Sequence, residues 1–130
     1  MKKPKIVIKI VKEDVGYSAS TLVENIFITT EGNTFEELKA GIVEAVNLSF
    51  EDKGFVYNIE EIKFIYDLES FFDFYKVINA KALSKRIGMN QSLLAQYING
   101  NKKPSNTQTK RILQGVQQIG RELSEIRIIS

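Results

Sequence analysis

Nine cationic side chains, Lys76, Lys81, Lys85, Arg86, Lys102, Lys103, Lys110, Arg111 and Arg121, follow one another between Asp73 and Glu122 with no acidic residue among them. Solvated faces usually mix signs, so one sign over that length points to a partner carrying the opposite one. Such a stretch makes a positive field suited to phosphates, because each neutralised phosphate releases condensed counterions into solution. A merely basic, soluble surface is the bland alternative. Bond-making chemistry has fewer candidates. The chain has no Cys, which removes disulfides, thiol catalysis and thiolate metal sites, and no His, which removes most hydrolytic triads and the commonest zinc ligand. A non-enzymatic binding protein without a cofactor is the expectation.

The 130 residues, 43% hydrophobic and 26% charged, fit one folded domain or two small ones. The net charge of +2 hides a division at Asp67. Residues 1–67 carry 8 Lys against 12 acids, net −4, and residues 68–130 carry 10 Lys or Arg against 4 acids, net +6. Two domains, 1–67 and 68–130, with different partners are expected. No run approaches 18 apolar residues, and the basic Met1-Lys2-Lys3-Pro4 opening leads into an apolar-rich stretch without a small-residue cleavage site. A cytoplasmic, unprocessed chain with no membrane partner follows as an expectation.

The elements that position these residues change character at the same point. Ile6, Val7, Ile8, Ile10 and Val11 predict a strand over 5–12, buried on one face and partly covered on the other. Asp14-Val15-Gly16 supplies a turn, residues 17–20 a second strand and residues 25–30 a third. Thr34 followed three residues later by Glu37 is a capping box, and the helix after it carries Leu38, Ile42, Ala45, Val46 and Phe50 near the 3.6 period before Gly54 ends it. Residues 59–66 return to strand character. After Asp67, the spacing of Leu68, Phe71, Phe72, Tyr75 and Ile78 predicts a helix opening the second domain. Asn79 caps a short helix with Leu83 and Ile87 inward, Gly88 ends it, and Asn90 caps a helix over 91–99 with Leu94 and Ile98 inward. Gly100 ends that one, and Thr107 opens a longer helix with Ile112, Leu113, Val116 and Ile119, which gives a five-helix expectation.

Leu83-Ser84-Lys85-Arg86-Ile87-Gly88-Met89-Asn90-Gln91-Ser92 and Tyr97-Ile98-Asn99-Gly100-Asn101-Lys102-Lys103-Pro104-Ser105 resemble the phage-repressor-like (XRE) helix-turn-helix family, with Ser84 in place of the usual Ala. The resemblance implies that the helix from Gln91 enters the major groove with its first residues at base edges, while flanking residues hold phosphates. Gln91, Ser92 and Gln96 are the base readers on this reading. Gln can pair bidentately with adenine, Ser is adaptable, and Gln91 and Gln96 fall five residues apart on overlapping faces. Lys81, Asn99, Lys102, Lys103, Lys110 and Arg111 are assigned to phosphates. Tyr97 is read as packed in its own domain, and Gly100 and Pro104 as backbone devices.

Gly16-Tyr17-Ser18-Ala19-Ser20 and Thr34-Phe35-Glu36-Glu37-Leu38 are similar to the HicB antitoxin family, whose Pro-Gly-Cys loop is replaced here by Leu22-Val23-Glu24-Asn25. The resemblance covers about half the chain. It implies an α+β fold: a β-β-β-α-β partial ribonuclease-H-like domain followed by an all-α helix-turn-helix domain. It also implies sequestration of a small basic HicA-type toxin that cleaves messenger RNA, and repression of the chain's own operon. The acidic first half suits a basic partner. Two other functions stay open: a stand-alone regulator whose first domain senses a small molecule, and a magnesium-dependent nuclease built on Asp14, Glu24, Glu31 or Asp67. Repressor-like domains work as pairs one DNA turn apart, so a homodimer is expected. Glu125-Ile126-Arg127-Ile128-Ile129 is expected to form a short C-terminal strand, paired across the dimer or docked within the chain, with Gly115 marking close packing of the helix before it.

Overall fold

The computed structural model describes residues 2–130. The chain is α+β and divides into two compact units, one running to Phe74 and the other from Tyr75 to Ser130.

The first unit holds β1 (Ile6–Lys12), β2 (Tyr17–Val23), β3 (Ile26–Gly32), α1 (Phe35–Phe50), β4 (Ile62–Tyr66) and α2 (Leu68–Phe74). The strands make one mixed sheet in the order β3-β2-β1-β4. β1 runs antiparallel to β2, with Ile10 opposite Ala19, and parallel to β4, with Ile6 opposite Ile62. Alternation decides the faces. Ile6, Ile8 and Ile10 turn inward with Ala19, Ile28 and Ile62, against Leu38, Ile42, Val46 and Phe50 of α1. Val7, Phe27 and Ile65 lie on the other face and are exposed. Thr34 caps α1 by accepting from the Glu37 N–H at 3.1 Å, and the Glu37 carboxylate accepts from the Asn33 N–H, one residue before the box position. β2 and β3 join through Glu24 and Asn25, both with positive φ. Such a two-residue turn matches the twist of a hairpin, and Asn tolerates it better than Glu. Residues 59–61 form a 3-10 turn ahead of β4, where strand was expected from residue 59.

The helix after Asp67 departs from expectation twice. It stops at Phe74, with Tyr75 and Ile78 in a turn closed by the Ile78 N–H on the Tyr75 carbonyl. The β-branched pair Val77-Ile78 and the Asn79 cap just after it oppose continuation. It also belongs to the first unit. The Lys12 N–H, at the end of β1, donates to buried Ser70 Oγ at 2.8 Å, and Phe74 stacks on Tyr17 with ring centroids 4.4 Å apart. The Tyr17 hydroxyl donates to the Asp73 carboxylate, which Lys12 approaches to 3.3 Å. That hydrogen bond, then burial and the nearby negative charge, push the Tyr17 pKa up to about 12. The boundary therefore falls after Phe74 and not after Asp67. Divided there, the units carry 8 Lys against 14 acids, net −6, and 10 Lys or Arg against 2 acids, net +8.

The second unit has three helices, α3 (Ala80–Ile87), α4 (Gln91–Ile98) and α5 (Asn106–Ser124), against a five-helix expectation: α2 packs in the first unit, and residues 75–130 form no fourth or fifth helix. Its core is small: Leu83, Met89, Leu94, Tyr97 and Ile112. α5 starts one residue earlier than Thr107, with Ser105 capping the Gln108 N–H at 3.2 Å. Residues 126–130 form no strand, and Ile128 and Ile129 are 90% and 96% exposed. A strand needs a ladder partner, and this unit contains only helices. No helix among the described residues is long and apolar enough to cross a membrane.

Candidate nucleic-acid interface

The turn between α3 and α4 is fixed by local chemistry. Gly88 takes the left-handed conformation, its N–H donates to the Lys85 carbonyl at 3.3 Å, and the Met89 N–H donates to Ser84 at 2.9 Å. This pair of reverse bonds closes a helix with an apolar residue just beyond it, and Met89 is accordingly buried. Asn90 then accepts from the Leu93 N–H at 3.1 Å and starts α4. The same closure ends α4: Gly100 is left-handed, its N–H meets the Tyr97 carbonyl, and the Asn101 N–H meets Gln96 at 2.9 Å. The Lys102 N–H adds a second bond to Gln96, so the lysine loop leaves α4 along a fixed path.

Leu94 and Tyr97 are buried and Leu93 and Ile98 half-buried, which leaves Gln91, Ser92, Ala95, Gln96 and Asn99 as the solvent sector of α4. All three expected base readers are exposed. At 100° per residue, however, Gln91 and Gln96 stand about 140° apart at opposite margins of that sector, so their faces do not overlap as expected. Ser92 and Gln96, four apart, share a row. Ala95 lies between the two Gln and was not singled out by residue type; its methyl admits close approach and suits a thymine methyl. Asn99 closes the sector at the C-terminal end.

Lys81, Lys102, Lys103 and Lys110 are exposed around this sector's helix and loop, as is Lys85, a further lysine outside the expected phosphate set. Arg111 has a different post. Its guanidinium donates to the carbonyls of Ile87 at 2.6 Å and Gly88 at 3.0 Å, and to Gln108. It satisfies the C-terminal carbonyls of α3 from α5 and so positions the turn between α3 and α4, a role its sequence position did not announce. Arg86 makes a two-pronged pair with Glu122, both bonds 3.0 Å, which ties α3 to α5 and holds the Glu122 carboxyl below the usual range. Gly115 supplies the third tie. A Cβ there would lie 2.4 Å from Ile87 Cγ2, so the close approach anticipated at Gly115 is α5 on α3, not a terminal strand.

This unit can offer an exposed helical face with amide, hydroxyl and methyl groups, amid the exposed Lys81, Lys85, Lys102, Lys103 and Lys110. Comparison with protein-family models, curated proteins and solved structures gives no match to the chain.

Proposed function

We propose that the second unit binds double-stranded operator DNA through α4, and that the chain is the antitoxin of a HicA/HicB-type pair, repressing its own operon. The solvent sector of α4 carries this reading: a helix capped and closed at both ends presents Gln91, Ser92, Ala95, Gln96 and Asn99 outward in a unit of net +8. Lys81, Lys85, Lys102, Lys103 and Lys110 provide phosphate contacts and the salt dependence that goes with them. The exposed side of α5, with Leu113 and Leu123 at 50% and 62%, is where a second copy would complete a two-fold operator complex. In this reading the chain is cytoplasmic, needs no cofactor and catalyses no reaction.

The first unit is then the toxin-binding part. Its sheet order, with β1 parallel to β4 and flanked by an antiparallel β2-β3 pair, supports a partial ribonuclease-H-like arrangement, and its net charge of −6 suits a small basic RNA-cleaving protein. No group of three or more acidic side chains that could hold a metal lies among the described residues, so no observation favours the nuclease alternative. The test has two arms. Fluorescence anisotropy of the full chain on DNA from upstream of its own gene, against random DNA of equal length, is expected to give at least a thousandfold preference at physiological salt, on the order of specific over non-specific binding. Equal affinity would overturn the repressor reading. Co-expression with the small basic protein encoded beside it is expected to give a stable complex that silences RNA cleavage; retention of a small molecule by the first unit, with no such complex, would favour a sensing regulator.

A further inference from the structure

α1 buries Leu38, Ile42, Val46 and Phe50 against the sheet, yet Leu48 on its outer side is 63% exposed and Val56, just beyond its end, is 74% exposed. Single exposed apolar residues are ordinary. These two line one open groove of about 400 Å³, with Phe55 and Asn47 beside them and Glu44 and Glu51 on its border. Gly54 also lines it, and a Cβ built there would meet nothing within 4 Å, so the groove stays open at that point.

The floor is rigid. The Asn47 amide grips the Tyr57 backbone from both sides, donating to its carbonyl at 3.0 Å and accepting from its N–H at 2.7 Å. The Tyr57 hydroxyl donates to the Pro4 carbonyl at 2.6 Å, and the Phe55 N–H to the Phe50 carbonyl. A preformed apolar surface binds without an ordering cost on its own side. Among the described residues, neither Glu44 nor Glu51 is engaged in an ion pair, and Asp52 follows directly. Two cations lie close by: Lys53 sits over the Phe50 ring at 5.9 Å, and Lys3 donates to the Val56 carbonyl at 2.7 Å but is paired with Glu61 at 2.7 Å, so the acidic side chains still outnumber them. Nucleic acid is disfavoured by that sign, and a basic polypeptide is favoured.

We propose that this groove docks a segment of a partner protein bearing one large apolar side chain flanked by Lys or Arg. The apolar anchor lies between Leu48 and Val56, and Glu44 and Glu51 meet the flanking cations. The inference rests on the reading of the first unit as the part that meets a basic protein, and adds where and through what chemistry.

The probes are two synthetic peptides of equal length, one with a central Leu flanked by Arg and one with the same Leu flanked by Glu, titrated into the ¹⁵N-labelled full chain. The Arg peptide is expected to shift amides within residues 44–56 and the Glu peptide to leave them unmoved. Leu48→Lys and Glu51→Lys, both at exposed positions, are each expected to weaken the Arg peptide about tenfold or more, as loss of an anchor does. Phe27→Lys, on the other face of the sheet, is expected to change nothing. Absence of binding, shifts centred elsewhere, or unchanged affinity in Leu48→Lys would overturn the proposal. Shifts at 44–56 on concentrating the chain alone would also overturn it, by making a second copy the occupant. The two levels separate cleanly: a neighbour-encoded protein held equally by wild type and Leu48→Lys sinks the groove and keeps the antitoxin reading. Peptide binding without such a partner keeps the groove and sinks the antitoxin.

Discussion

The two units reach stability by different means. The first has a contiguous core in which ten buried side chains from the sheet and α1 pack together with Tyr57 of the loop after α1. The second buries five apolar residues, and its geometry is held at helix ends by Asn79, Gly88, Asn90, Gly100, Ser105 and the Arg111 guanidinium. A unit built on apolar area tolerates little volume change inside. One built on caps and a close helix crossing is sensitive at single polar or glycine positions, and leaves its solvent faces available for recognition.

The largest effect expected from that contrast is in the first core. Ile8→Ala, at a fully buried position in the central strand pair, is expected to cost about 2–5 kcal/mol in denaturant unfolding. A cost well under 1 kcal/mol would erase the distinction. In the second unit the comparison is between two glycines of one helix. Gly115→Ala drives a methyl into Ile87 Cγ2, a stiff β-branched neighbour, and is expected to destabilise by about 1–3 kcal/mol. Gly120→Ala meets open space and is expected to stabilise by up to about 1 kcal/mol through helix propensity alone. Opposite signs sharpen the account, and equal signs break it. The smallest effect concerns the polar latch that assigns α2 to the first unit. Tyr17 has a folded pKa of about 12 against 10 when unfolded, so the fold favours its protonated form. That contribution is complete below about pH 10 and is lost as pH rises toward 12. Tyrosinate absorbance should show a group titrating near pH 12 that disappears in Tyr17→Phe, while Tyr57, raised by burial, is still seen; a normal midpoint for Tyr17 would contradict the latch.

How much of this was readable in advance follows the range of each interaction. Caps and turns are local, so Thr34, Asn79, Gly88, Asn90 and Gly100 announced their roles by type and spacing. The alternation of Ile6, Ile8 and Ile10 did the same for β1. What depended on distant partners was hidden. Arg111 reads as one more cation until α5 brings it to Ile87, 24 residues away. The periodicity from Leu68 to Ile78 reads as one helix of the second domain, until Ser70, Asp73 and Phe74 meet Lys12 and Tyr17. The solvent sector of α4 was half legible: Gln91, Ser92 and Gln96 were named, but Ala95 carries no polar group to draw notice, and only its exposure places it among them.

The central claim, that α4 reads bases while the surrounding lysines hold phosphates, is tested most directly by salt titrations of Gln91→Ala and Lys103→Ala on operator and random DNA. Gln91→Ala is expected to lose about 1–3 kcal/mol on the operator alone, with its salt slope unchanged, and Lys103→Ala to weaken both DNAs alike and lower the slope by about one. Equal losses on both DNAs for Gln91→Ala would contradict the account.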